Sequence, residues 1–257
     1  MSQQSIPQNQ QFGNKQFQIT NFCCNFEPVN QLEMKNDKLK ITAMKTIISI
    51  FILTLAISVQ SFSASYEEAM AANLQKIGNA KTVDEFTVLA NQFERIANAE
   101  TAKWQPRYYA AYCYLSPVTN MEMSVDDKHK LLDLAQAQMD ILLKSFQNES
   151  EIYALQSLIY QMRITDMSKG FKYTSMSFEA LDQSEKLNPN NPRVYYLRGT
   201  NTFHMPKAFG GGKEKAKPLF EKAAGLYESQ KTTNAIEPAW GSEHNKQMLT
   251  LCDIADE

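Results

Sequence analysis

The stretch LNPNNPRVYYLRG, residues 187–199, decides the fold. Its centre, Asn188-Pro189-Asn190-Asn191-Pro192, is a turn between two helices, because proline and asparagine punctuate regular structure. Downstream, KAKPLFEKAAGLY (residues 215–227) places Ala216, Phe220 and Ala223 four and then three residues apart, on one face of a helix. The pattern is helical throughout after residue 64, with no good run of alternating apolar and polar residues. Thr82-Val83-Asp84-Glu85 is a capping box: Thr82 can accept from the backbone three residues on, and Glu85 can reach back. Ser124 precedes Val125-Asp126-Asp127, which puts acidic side chains at a helix N-terminus.

Residues 187–227 resemble the tetratricopeptide repeat (TPR) family. Tyr195 and Gly199 match the family's aromatic at position 4 and small residue at position 8, and Ala216, Phe220 and Ala223 match positions 20, 24 and 27. Small residues let helices approach closely, and bulky ones fill the gaps. The scheme extends backwards through Tyr153, Ser157, Ser177, Leu181 and Ser184, and through Tyr108, Ala135, Met139 and Leu142. Earlier, Ala90 and Ala97 fit positions 20 and 27, while Glu94 departs at 24. The resemblance implies an all-α, TPR-like αα-hairpin solenoid over residues 64–257, with about four hairpins. A last helix from Pro238 to Asp253, anchored by Trp240, would cap the open end.

The period departs from the family. Tyr108 to Tyr153 is 45 residues and Tyr153 to Tyr195 is 42, against a standard 34. The excess falls each time within the hairpin, at Ser116–Ser124, Thr165–Tyr173 and His204–Lys213. Equivalent turns of a solenoid project from one edge. A ridge carrying Met121, Met123, Met167, Phe171, Met205 and Phe209 is therefore expected, either open to a partner or folded back over helix ends, unless some of the inserted residues merely lengthen the helices. The resemblance also implies a concave groove with Tyr109 and Tyr196 at position 5, Leu158 and Thr200 at position 9, and Gln161 and Phe203 at position 12. Such a face suits a peptide or partner helix. Alternatively, the two tyrosines pack between neighbouring helices.

Residues 1–43 are rich in Gln and Asn, show no period and read as disordered or as a non-native extension, with Met44 the true start. Tryptic peptides from 1–43 in the native protein would exclude the second idea. Residues 44–63 read as a secretory signal. The uncharged run Ile47–Val59 is short for a membrane span, and Ser61 and Ser63 stand at −3 and −1 for a cut before Ala64. The expected address is secreted or periplasmic. Cys113 and Cys252 remain in residues 64–257 as a pair that export would permit, or as two small buried hydrophobes.

Across 257 residues, 26 Lys and Arg against 28 Asp and Glu argue against a nucleic-acid binder, which needs clustered positive charge. Gly210-Gly211-Gly212-Lys213 fails as a phosphate loop, since Lys207 stands where the first glycine belongs and Glu214 where a hydroxyl belongs. Gly211, Gly212 and Lys213 could still hold an anion at a helix N-terminus. His129, His204 and His244 lack metal-site spacing, and no nucleophile elbow is present. No catalytic residue, cofactor or metal is expected. The chain resembles small exported bacterial TPR proteins, which implies a scaffold or adaptor for a protein or peptide in the cell envelope. The alternatives are a small-molecule- or anion-binding protein or enzyme using the Gly210–Gly212 loop, and a self-associating structural protein.

Overall fold

The computed structural model describes residues 66–230 and 234–254, all within one compact unit that spans residues 58–257. The expectations for residues 1–43 and for the signal segment lie outside the described residues. Nine α-helices follow one another among the described residues: α1 (66–77), α2 (Val83–Ala99), α3 (Gln105–Asn120), α4 (Val125–Ser145), α5 (Ser150–Met162), α6 (Met167–Leu187), α7 (Pro192–His204), α8 (Lys213–Ser229) and α9 (Ser242–Asp253). None of these is long and apolar enough to cross a membrane.

Local chemistry sets the boundaries. The Thr82 side chain accepts from the Glu85 amide while Glu85 accepts from the Thr82 amide, which is the expected capping box of α2. Those backbone donors hold the exposed Glu85 carboxyl below its usual pKa. Ser124 caps α4 by accepting from the Asp127 amide. Asn191 caps α7, and Pro192 takes the first helical position, where a missing N–H is least costly.

From α2 onward consecutive helices pack on each other, and α5 also touches both α3 and α7, so that these three form the inner layer of an all-α solenoid. Most anchors behave as the repeat spacing requires, while Tyr153 at position 4 of the middle repeat is only half-buried. Tyr108, Ala135, Met139, Leu142, Ser177, Leu181, Ser184, Ala216, Phe220 and Ala223 have 0% exposure. Each large apolar side chain so buried stabilises the fold by roughly 1.5–3 kcal/mol. Gly199 lies against the Phe220 ring so closely that a Cβ there would strike it. Ser157 and Ser177 occupy small-residue positions and share a buried hydroxyl hydrogen bond of 2.7 Å. Glu94, the departure at position 24, accepts from the Tyr114 hydroxyl at 2.9 Å instead of packing.

The structure decides one open expectation and changes another. Most of the extra hairpin residues lengthen helices: α3 runs to Asn120 and α6 begins at Met167, so the Ser116–Ser124 and Thr165–Tyr173 stretches are largely helical. Only His204–Lys213 forms a substantial loop, with a 3-10 turn at Lys207–Phe209. The last helix starts at Ser242, not Pro238, because Gly241 turns the chain at φ +101°. Trp240 therefore stands outside the helix it was expected to anchor.

Candidate functional site

The inner faces of α3, α5 and α7 form the candidate site, and residues 234–240 run back across one end of it. This strap is built locally. The Asn234 carbonyl and side chain accept from Glu237 and Ile236 amides, and Pro238 follows. At its far end Gly241 is required, since a Cβ there would collide with the Tyr227 hydroxyl. Ile236 is buried, and its carbonyl accepts from the Tyr109 hydroxyl at 3.0 Å. Gln105 donates to Glu237 at 3.1 Å. The Trp240 indole donates to the Tyr108 hydroxyl at 2.7 Å. Its ring stacks on Tyr112 with centroids 5.8 Å apart and meets Tyr196 edge-on at 6.4 Å.

Arg193 is the centre of this closed end. It is fully buried, and its guanidinium donates to Glu151 at 3.0 Å and to the Pro238 carbonyl. It also lies over Trp240, 5.1 Å from the ring centroid. Burial alone would lower its pKa; the Glu151 carboxylate and the surrounding phenols overcome that and raise it. Burial pushes the Glu151 carboxyl up, with Arg193 pulling against it. Burial likewise raises the Tyr108, Tyr109 and Tyr196 phenols, so none of the three is poised to ionise near neutral pH. Beside the strap, a cavity of about 270 Å³ opens among Trp104, Glu149, Glu151 and Glu237.

The expected groove residues divide between two ends. Tyr109 and Tyr196 are buried at the strap. Leu158 and Gln161 are buried on α5, where the Gln161 amide donates to the Leu197 carbonyl at 3.0 Å. Thr200 and Phe203 are half-buried on α7, toward its open end. There Phe203 meets the His204 ring edge-on at 5.1 Å. His244, on the first turn of α9, has its Nδ1 2.8 Å from the Tyr196 hydroxyl. Both histidines are exposed. Burial of part of each ring lowers its pKa, and His204 adds to the effect on His244. Sequence reasoning did not anticipate Arg193, the strap, or the two histidines beside the groove. The one signal was Pro238-Ala239-Trp240-Gly241, a turn carrying a large aromatic.

The other expected sites separate as well. Of the ridge residues, Met121, Met123 and Met205 are half-buried. Met167, Phe171 and Phe209 stand 91%, 90% and 78% exposed. In the glycine loop, the Gly210, Gly211 and Gly212 amides donate to the Lys207, Pro206 and Thr202 carbonyls. A Cβ at Gly211 would collide with the Met205 carbonyl, so the loop closes tightly on the end of α7. Lys213 donates to the Ile254 carbonyl at 3.1 Å. Cys113 and Cys252 are free thiols. Among the described residues, no group of three or more His, Cys, Asp or Glu side chains is placed to hold a metal ion.

No protein-family profile matches the chain, and no curated protein matches it. Solved structures do. The HusA haemophore from Porphyromonas gingivalis is 29% identical, with 73% of this chain and 92% of that chain covered and a TM-score of 0.66. A thermophilic TPR protein from Thermus thermophilus is 16% identical, with 73% and 80% covered and a TM-score of 0.52, a likeness of fold alone. With the buried repeat anchors, these likenesses establish a TPR-like protein, an all-α solenoid of helical hairpins.

Proposed function

We propose that this protein is an exported carrier that binds a planar, largely apolar ligand of the haem class on the open end of its concave face, without catalysing a reaction on it. The likeness to a haemophore across 92% of that chain carries the reading. A fold by itself hosts many functions, so the site must agree. The groups present support the reading: half-buried Phe203 and two exposed histidines offer flat faces beside polar groups. Export is supported by the Ile47–Val59 run and the small residues that follow it.

Titration of the full chain with haemin and with metal-free protoporphyrin IX tests the proposal. A saturable change at one ligand per chain is expected, seen in the Soret band and in tryptophan quenching. Absorbance that rises without saturation for both ligands would reject it.

A second reading, an adaptor for a protein partner, is favoured by the exposure of Met167, Phe171 and Phe209 on the hairpin-turn edge. Cross-linking in the native envelope should then recover one recurring partner, joined at residues 167–171. A map of cross-links confined to the concave face would remove this edge from the account.

A further inference from the structure

We propose that the hairpin-turn edge of this solenoid, carrying Met167, Phe171 and Phe209, docks on an anionic lipid surface. This goes beyond the carrier reading and does not depend on it. Among the described residues these are the three most exposed large apolar side chains, at 91%, 90% and 78%. Topology puts them on one side. The α5–α6 and α7–α8 turns are equivalent turns of stacked hairpins, and such turns project from the same edge. Met167 and Phe171 are also four apart on α6, so they share a face of that helix.

Charge separates these two turns from the α3–α4 turn. Residues 163–173 carry Arg163, Lys169 and Lys172 against Asp166. Residues 204–217 carry Lys207, Lys213, Lys215 and Lys217 against Glu214. That is seven cations against two anions, in a chain whose net charge is −2. Asp133 and Asp253, from neighbouring helices, pair with Arg163 and Lys217, and the excess stays positive. The α3–α4 turn instead carries Glu122, Asp126 and Asp127 against Lys128 and Lys130, and its Met121 and Met123 pack back onto the core. The basic turns leave their large apolar side chains bare; the acidic turn folds its methionines away. An interfacial anchor needs that combination, with apolar side chains in the acyl boundary and ammonium groups level with the lipid phosphates. Lys172 and Lys215 are exposed and able to reach that level.

Size sets this edge apart from the protein docking face of the second reading. An aromatic side chain buries roughly 150–250 Å², so three such groups offer about 600 Å², short of the roughly 800 Å² per partner in a stable protein interface. A bilayer requires no matching shape, and side chains on separate turns enter it independently.

The test is hydroxyl-radical footprinting of the full chain, with vesicles of pure phosphatidylcholine or of equal parts phosphatidylcholine and phosphatidylglycerol. Oxidation of Met167, Phe171 and Phe209 should fall with the anionic vesicles only, and recover when salt is raised. The triple variant Met167→Ser, Phe171→Ser, Phe209→Ser should keep its helical circular dichroism and bind anionic vesicles at least about tenfold more weakly. Wild type and variant share the apolar run Ile47–Val59, so their difference reads the edge alone. Lys172→Gln with Lys215→Gln should weaken the same binding by about tenfold. Oxidation that anionic vesicles leave unchanged, or that neutral vesicles suppress equally, would overturn the proposal. Protection by detergent-extracted envelope protein and not by vesicles would also overturn it and give the edge to a protein partner.

Discussion

The two ends of the concave face use the same helices and reach opposite outcomes. At the closed end, the first turns of α3, α5 and α7 meet the returning strap, and Tyr108, Tyr109 and Arg193 are buried. At the open end, α7 finishes at half-buried Phe203 and exposed His204; exposed His244 lies against Tyr196, between this end and the strap. Repeat position does not decide the difference. Tyr196 and Phe203 are both groove positions, yet one is buried against Trp240 and the other reaches solvent. What a later segment covers becomes core; what it leaves bare is available to a ligand.

The largest test of this contrast is Arg193→Ala. It leaves the Glu151 carboxylate buried without its cation and removes the tie to Pro238, so a loss of about 3–5 kcal/mol is expected in urea unfolding. A loss below about 1 kcal/mol would mean the closed end is not held through this pair. Trp240→Ala should cost about 2–3 kcal/mol, below the usual range for a fully buried tryptophan because Trp240 is half-buried. It should also speed hydrogen exchange across residues 234–240. Equal protection in the variant would show that the strap holds without its aromatic.

Gly199→Ala probes the hairpin beneath both ends. Alanine normally favours a helix interior, but here its methyl would strike the Phe220 ring, and a net loss of about 1–2 kcal/mol is expected. Phe220→Leu in the same chain should recover part of that loss; no recovery would argue against the close approach of α7 and α8. Acid probes the open end. Burial lowers the His204 and His244 pKa values in the folded chain. Their contribution to stability is therefore present above the ordinary histidine value near 6.5 and lost as pH falls through the lowered folded values. Thermal melting should drop modestly between pH 7 and pH 5, and less so in the His204→Gln, His244→Gln double variant. Smallest is Met167→Ser with Phe171→Ser: both side chains are nearly free of contacts, so stability should change by no more than about 0.5 kcal/mol.

The hairpins were legible because their determinants are local. Thr82 with Glu85, Ser124 with Asp127, and Asn191 with Pro192 fix helix starts within three or four residues. The anchors Tyr108, Phe220 and Gly199 follow a spacing that counting alone reveals. The extra hairpin residues were located correctly, but how they divide between projecting loop and lengthened helix was not legible: α3 continues through Pro117 to Asn120 although an interior proline removes a backbone hydrogen bond.

The sequence by itself thus determined the all-α repeat, since caps and helical spacing act over a few residues. Only the tertiary structure decided which part of the concave face stays open. The bonds that close the other end join residues 127 and 132 positions apart, Tyr109 to Ile236 and Tyr108 to Trp240. No local pattern encodes such a pairing, because its free energy comes from burying Arg193, Ile236 and Trp240 against surfaces that exist only once the hairpins have stacked.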